Sequence, residues 1–148
     1  MKRLHPYHGA GIIFWTQTER GERSILMGKR NMRPQNHRWS FPGGGWEPRD
    51  GRMRDGKVNY QAAAIRESKE EMGMQVDKPD RLALVWTLHL PYFHYNVFGY
   101  YVKTRIKPPF VDEFSEYTWC TLDSLPKPMV VFVPSQVRQL KKVRSPLP

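Results

Sequence analysis

Apolar positions along the chain fall into short blocks separated by polar and turn-forming residues, and the period of the blocks changes from place to place. Gly9–Trp15 is a nearly continuous apolar run and Ile25–Met27 a shorter one, while other blocks alternate, as strands do. Strands are expected over 9–16, 24–30, 82–89, 95–104 and 116–121, each rich in β-branched or aromatic residues, with a short pairing segment at 38–41. A helical pattern occupies 59–72, with Asn59 suited to its N-cap and Gly73 to its C′ position. A second helix is expected over 134–143, following Pro134 and with Ser135 near its start. The stretch 105–112 contains Pro108-Pro109 and reads as a loop, and 145–148 as a frayed tail. No repeat, linker or shift of composition divides the chain. Residues 1–148 are therefore expected to form a single domain of the α/β class, an α/β/α sandwich with a mixed β-sheet.

The first helix holds the candidate chemistry. Glu67, Glu70 and Glu71 stand at i, i+3 and i+4, which at 3.6 residues per turn directs them to nearly the same side, away from Ile65 and Met72. Like charges so spaced destabilise a helix by a few tenths of a kcal/mol per pair, roughly, unless a cation sits among them. Mg²⁺ takes oxygen ligands and is commonly shared between carboxylates and substrate phosphates. A solvated acidic face fits the spacing equally well. The upstream Pro42-Gly43-Gly44-Gly45 turn favours the cation, because glycine allows close backbone approach to a ligand and positive φ.

These two segments resemble the signature of the Nudix hydrolases, G-x5-E-x7-R-E-U-x-E-E-x-G-U, where U is a bulky aliphatic residue. Arg66-Glu67, Glu70-Glu71 and Gly73-Met74 match its second half and Pro42–Glu47 its first. Ser68 stands where an aliphatic residue is usual. Counted from Gly44 the signature arginine is due at position 58 but is Arg66, so eight residues are inserted within Arg49–Asn59. An insertion after Asp50 leaves Asp50 in place of the first signature glutamate; one before Lys57 leaves no carboxylate there. The resemblance extends from Gly9 to Pro126: the strand ending Gly28-Lys29-Arg30 and the Glu116–Thr121 strand both have counterparts in the family.

The resemblance implies hydrolysis of a phosphoanhydride in a nucleoside diphosphate derivative, a nucleoside triphosphate or related small nucleotide first among them. It implies Mg²⁺, or Mn²⁺ in its place, held by Glu67, Glu70, Glu71 and the backbone at Gly44. Arg66 would orient a carboxylate. The general base falls among Glu67, Glu113 and Glu116, which with Arg66 and Glu70 makes the expected catalytic set Glu67, Arg66, Glu70 and Glu116. Arg30, Trp39, Phe41, Gly43 and Gly45 are the expected substrate contacts. The alternative is a module of this fold that binds nucleotide or RNA through a basic surface without cleaving it.

Charge and composition sharpen this only partly. The chain has 24 Lys+Arg against 14 Asp+Glu, a formal net charge of +10, which draws anionic substrates and would hold nucleic acid nonspecifically, the less favoured partner here. One basic cluster, Arg49, Arg52, Arg54 and Lys57, lies in the inserted segment, as a polyphosphate clamp or a solubilising loop. Gly51–Lys57 matches G-x4-G-K, but Val58 replaces the Ser/Thr of a P-loop. His89 and His94 lack the spacing and cysteines of a zinc site and suit solvent or substrate contact. Cys120 is expected to be a buried structural thiol in a reducing, cytoplasmic setting. No apolar run nears the roughly 20 residues that span a bilayer, and no signal peptide is expected. Oligomeric state is not legible.

Overall fold

The computed structural model describes residues 5–31, 33, 36–109 and 111–146. Seven strands form one mixed sheet: β1 (Tyr7–Gln17), β2 (Arg23–Arg30), β3 (Trp39–Ser40), β4 (Gly43–Gly45), β5 (Ala83–Leu90), β6 (Phe93–Tyr101) and β7 (Phe114–Thr121). Helices α1 (Tyr60–Met72) and α2 (Val133–Leu140) cover its two faces. The pairing order runs β3-β2-β1-β6-β5, with β4 added to β1 and β7 to β2. Only β1 and β6 pair in parallel.

The unbroken apolar run of β1 is explained by burial on both faces. Ala10, Ile12 and Phe14 pack with Leu26, Ala63, Ala64 and Met72 on the α1 side. Ile13 and Trp15 pack with Ile25, Met27, Val97, Val133, Val137 and Leu140 on the α2 side. Complete burial of side chains such as Ile12, Ile13 and Phe14 is worth about 1.5–3 kcal/mol each, which fixes the strand that carries the site.

One edge of β1 is shared. Trp15–Gln17 pair with β2, whereas Gly9–Gly11 pair with β4. The sheet therefore parts between β2 and β4.

Several boundaries differ from the sequence expectation for identifiable reasons. Pro91 and Tyr92 form the turn of a tight hairpin, so β6 begins at Phe93 and ends at Tyr101, not 95–104. The glycine triplet is a strand rather than a turn: its backbone is paired to β1, and none of Gly43, Gly44 and Gly45 has positive φ. Helix α2 stops at Leu140 because Lys142 and Val143 turn back onto Gln139 and Leu140 in tighter bonds. At the tail, Ser145 accepts a hydrogen bond from Gln17 of β1, and 147–148 lie outside the described residues. Asn59 caps α1 as expected, accepting from the Ala62 N–H at 3.0 Å, and Gly73 closes it in left-handed geometry, φ 64.

Candidate active site

Strand β4 lies over the middle of α1, close enough that side chains are excluded. A Cβ at Gly44 would meet the Glu67 carboxylate at 2.6 Å, and one at Gly43 would meet Tyr95 Oη at 2.5 Å and the Ala10 carbonyl at 2.7 Å. Close approach, not backbone freedom, is what these glycines supply. The Gly43 N–H donates to Glu71 Oε1 at 3.3 Å.

Arg66 fastens the site together. Its Nε and Nη2 donate to Asp50 Oδ1 and Oδ2 at 2.8 and 2.9 Å, Nη2 also reaches the Gly45 carbonyl at 2.8 Å, and Nη1 reaches Glu67 Oε1 at 3.0 Å and Glu70 Oε2 at 3.1 Å. The fork is the geometry in which guanidinium and carboxylate bind most strongly. Asp50 ends a 3₁₀ turn, Pro48–Asp50, and accepts from the Glu47 N–H at 2.8 Å. The Arg66 hydrogen bonds hold its carboxyl below the usual range.

Asp50 is thus the carboxylate tied to Arg66, and the residues after it form a closed hairpin, with Arg52 bridged to Val58 and the Asn59 N–H bonded to the Gly51 carbonyl. The loop's cations are not gathered toward the carboxylates. Arg52 donates to Gly56 O and lies 5.0 Å over the Trp46 ring, and Arg54 and Lys57 are exposed. Arg49, just before it, donates to Glu70 Oε1 at 2.9 Å.

The three helix carboxylates are not equivalent, contrary to the expectation that they share one face. Glu70 and Glu71 differ by 100° around the axis. That angle turns Glu71 into the protein with Ala64, Ser68 and Met72, and leaves Glu70 exposed between Arg49 and Arg66. Glu67 sits half-buried between them. Ile65, expected at the core, is only half-buried, and Ala63 and Ala64 take its place. Glu71 is 3% exposed. Burial first, then the adjacent Glu67 carboxyl, push its carboxyl well above the ordinary range, and its Oε2 has no hydrogen-bond partner.

Other expected residues are scattered. Arg30 lines the cleft beside Gly43 and Gly44, and so does Phe41. Trp39 is buried in the α2-side core and does not line the cleft, because β3 pairs with β2 and directs it inward. Gly45 contributes its carbonyl to Arg66 instead. Glu116 is exposed on β7 opposite Lys29, and Glu113 sits at a left-handed position, φ 64, just before β7; neither lines the cleft. Of the three candidate bases, Glu67 alone is at the box. His89 and His94 lie side by side across the β5–β6 hairpin, Nδ1 to Nδ1 3.0 Å, with His8 stacked on His94, and take no part in the cleft. Cys120 is buried and its thiol pushed up to about 11 by desolvation, an inert group.

The cleft has a volume of about 310 Å³ and runs from Arg30, Gly43 and Gly44 to an apolar end at Trp86, Phe132 and Val133. Sequence reasoning did not single out Tyr7, Trp86, Phe132 and Gln136. Alternation along β6 places Phe93, Tyr95 and Val97 together on the cleft side. That signal was present. The loop before α2 gave none.

A hard divalent cation suits the donors present: one Glu71 oxygen has no hydrogen-bond partner, and the Glu67 carboxylate lies against the bare backbone of Gly44, where no side chain fits. Glu70 is held away by two arginines, and among the described residues no three carboxyl, imidazole or thiol side chains already converge on one point.

No curated protein matches the chain. Solved structures do. A MutT/nudix family protein from Enterococcus faecalis superimposes with a TM-score of 0.65 at 15% identity over 82% of this chain, which spans about half, 46%, of that one. A MutT NUDIX hydrolase from Burkholderia pseudomallei gives 0.64 at 22% identity over 92% of this chain and 98% of that one. An Ap4A hydrolase from C. elegans, in a binary complex, gives 0.63 at 18% identity over 92% and 96%. At these identities the likeness establishes the fold. The NUDIX domain model matches residues 6–140, nearly the whole chain, and on that match the chain belongs to the Nudix hydrolase family.

Proposed function

We propose that the protein hydrolyses a phosphoanhydride in a nucleoside diphosphate derivative, a nucleoside triphosphate or related small nucleotide first, with Mg²⁺ (Mn²⁺ substituting) held by Glu67, Glu71 and the Gly44 carbonyl. The observation that carries the reading is the buried Glu71 beside the half-buried Glu67, set against bare glycine backbone, with one Glu71 oxygen unpaired. A buried carboxylate without a partner is costly, and a cation is what relieves it. When bound, the ion neutralises phosphate oxygens and lowers the pKa of a water.

The chain's own groups do the rest. Glu67 accepts the proton of the attacking water; its oxygen bonds to phosphorus as the bridging P–O bond breaks, giving two phosphate products. Arg66 does not touch substrate. It positions Glu67 and Glu70 while its charge is met by Asp50. Glu70, now paired with Arg49 and Arg66, would be a further ligand for the ion if those pairs opened. Arg30, which has no ion pair among the described residues, lines the cleft beside Gly43 and Gly44, where it would meet a phosphate, and its charge acts on Glu71. The C. elegans neighbour is described as an Ap4A hydrolase, which supports a nucleotide polyphosphate as the substrate class. The buried thiol suits a reducing, cytoplasmic setting, and no helix among the described residues is long and apolar enough to cross a membrane.

The test is phosphate or pyrophosphate release from a panel of nucleotides and nucleoside-diphosphate derivatives, with Mg²⁺ and with EDTA. Cleavage that needs Mg²⁺ and falls about 100-fold or more in Glu71→Gln supports the reading. No cleavage of any member, with nucleotide or RNA binding retained, replaces it with the binding module.

A further inference from the structure

A group of histidines lies outside the cleft and has no part in the hydrolysis. The register of the β5–β6 hairpin sets His89 directly opposite His94, and directly opposed residues share a face of the sheet. Parallel pairing of β1 with β6 sets His8 beside His94. Along these strands His8 and His94 alternate with Tyr7, Phe93 and Tyr95, which line the cleft, so the imidazoles lie on the reverse face.

The Nδ1 atoms of His89 and His94 are 3.0 Å apart, with the rings crossing at 76°. The His94 ring is held by the His8 ring, stacked on it at 5.0 Å and 14°, and His8 Nδ1 is in turn 2.7 Å from Tyr60 Oη of α1. Neutral imidazole nitrogens are ligands for divalent transition metals. With metal–nitrogen bonds of about 2.0–2.1 Å, two nitrogens this far apart subtend roughly 95° at the ion. That is the angle between neighbouring ligands in a square-planar shell, the preference of copper(II) and nickel(II). Tetrahedral zinc would need a separation of roughly 3.3–3.4 Å. The hydrogen shared between the two Nδ1 atoms passes to Nε2 of its own ring, and a turn about the broad χ2 torsions brings both lone pairs onto the ion.

We propose that His89 and His94 chelate a square-planar divalent ion, nickel(II) or copper(II), at a site separate from the carboxylate box in both place and ligand type. Among the described residues no third carboxyl, imidazole or thiol converges with the pair, so water completes the shell. A chelate of two ligands depends on preorganisation, and the His8 stack supplies it by ordering one imidazole before the ion arrives. Mg²⁺, which prefers oxygen, passes the site by. The proposal goes beyond the hydrolase reading and does not rest on it.

Calorimetric titration of the full chain with Ni²⁺, Cu²⁺ and Zn²⁺, in excess Mg²⁺, tests it. One ion per chain is expected, with copper tightest and nickel ahead of zinc. His89→Ala and His94→Ala each weaken nickel binding by about 10-fold or more, while Glu71→Gln leaves it unchanged. The electron paramagnetic resonance spectrum of the copper form shows two nitrogen ligands in the wild type and one in either histidine variant. His89 is exposed, and His89→Ala decides alone should His94→Ala fail to fold. Absence of nickel binding, or binding that survives both histidine substitutions, overturns the site. Zinc binding tighter than nickel does so too, as does a loss in Glu71→Gln that His89→Ala does not share. The two readings fail separately: phosphoanhydride cleavage without nickel binding removes the histidine site alone, and nickel binding through His89 without cleavage removes the hydrolase alone.

Discussion

Replacing Asp50 by asparagine is the sharpest probe of how the inserted segment is accommodated. The Asp50 side chain is 4% exposed and that of Arg66 13%, and two contacts of 2.8 and 2.9 Å join them. Asparagine keeps the shape and removes the charge. Breaking one partner of a buried ion pair costs about 3–5 kcal/mol. Arg66 retains Glu67 and Glu70 as counter-charges, so the low end applies, about 3 kcal/mol. For a chain of this size each kcal/mol moves Tm by about 2–4 °C, giving a fall of about 6–12 °C at pH 7. Thermal melts of wild type, Asp50→Asn, Arg66→Leu and the double variant measure it, and the cycle should show coupling of about 1–3 kcal/mol. The pH dependence adds a second check. Arg66 depresses the Asp50 pKa in the folded state, so the stabilisation is complete above the unfolded carboxylate value and disappears as pH falls through the folded one. The wild-type and Asp50→Asn melts should therefore begin to converge only below about pH 4 and meet once the pH lies under the lower, folded-state value. A loss under about 1 kcal/mol at pH 7, or strict additivity in the cycle, would refute the assignment of Asp50 as the signature carboxylate.

Three further outcomes follow from the same geometry. Glu71 is raised by burial, so without metal the folded state holds a proton that the unfolded chain releases above about pH 4.3; Tm should fall as pH rises from 5 to 9 in EDTA, and Glu71→Gln should flatten that slope. Ser68→Ala removes a fully buried hydroxyl with no partner and should raise stability by about 1–2 kcal/mol, read by urea melts; a loss of that size would mean the Oγ is satisfied after all. Gly44→Ala sets a methyl 2.6 Å from the Glu67 carboxylate and should cut Mg²⁺-dependent turnover by about 10-fold or more, as supporting contacts to metal ligands do, and full activity would show that β4 does not press on Glu67.

The box was legible because its spacing is local. Arg66 through Gly73 lie on one helix, and a cap residue at each end marks its limits. The different fates of Glu70 and Glu71 were not, since which side of α1 meets the sheet depends on Ala63 and Ala64, weakly apolar residues that carry little pattern. The role of Asp50 depended on where a loop was inserted, which only a contact across 16 positions could fix. The strand character of Gly43–Gly45 was hidden because glycine has no strand preference, and the β1 edge supplied the pairing. Trp86, Phe132 and Gln136 meet only when β5 and α2 pack together, a tertiary event with no short-range trace.

The hairpin after Asp50 is closed at its base, with Arg52 bridged to Val58 and Asn59 bonded to Gly51. Its tip is thereby insulated from Asp50 on one side and from the cap of α1 on the other. Doubling the length of such a loop adds only about 0.6 kcal/mol of closure entropy. Met53–Lys57 is thus a port in the scaffold, where a reporter dye, an affinity peptide or a whole guest domain could be grafted within one short turn of the active site while leaving the arginine and its carboxylates undisturbed.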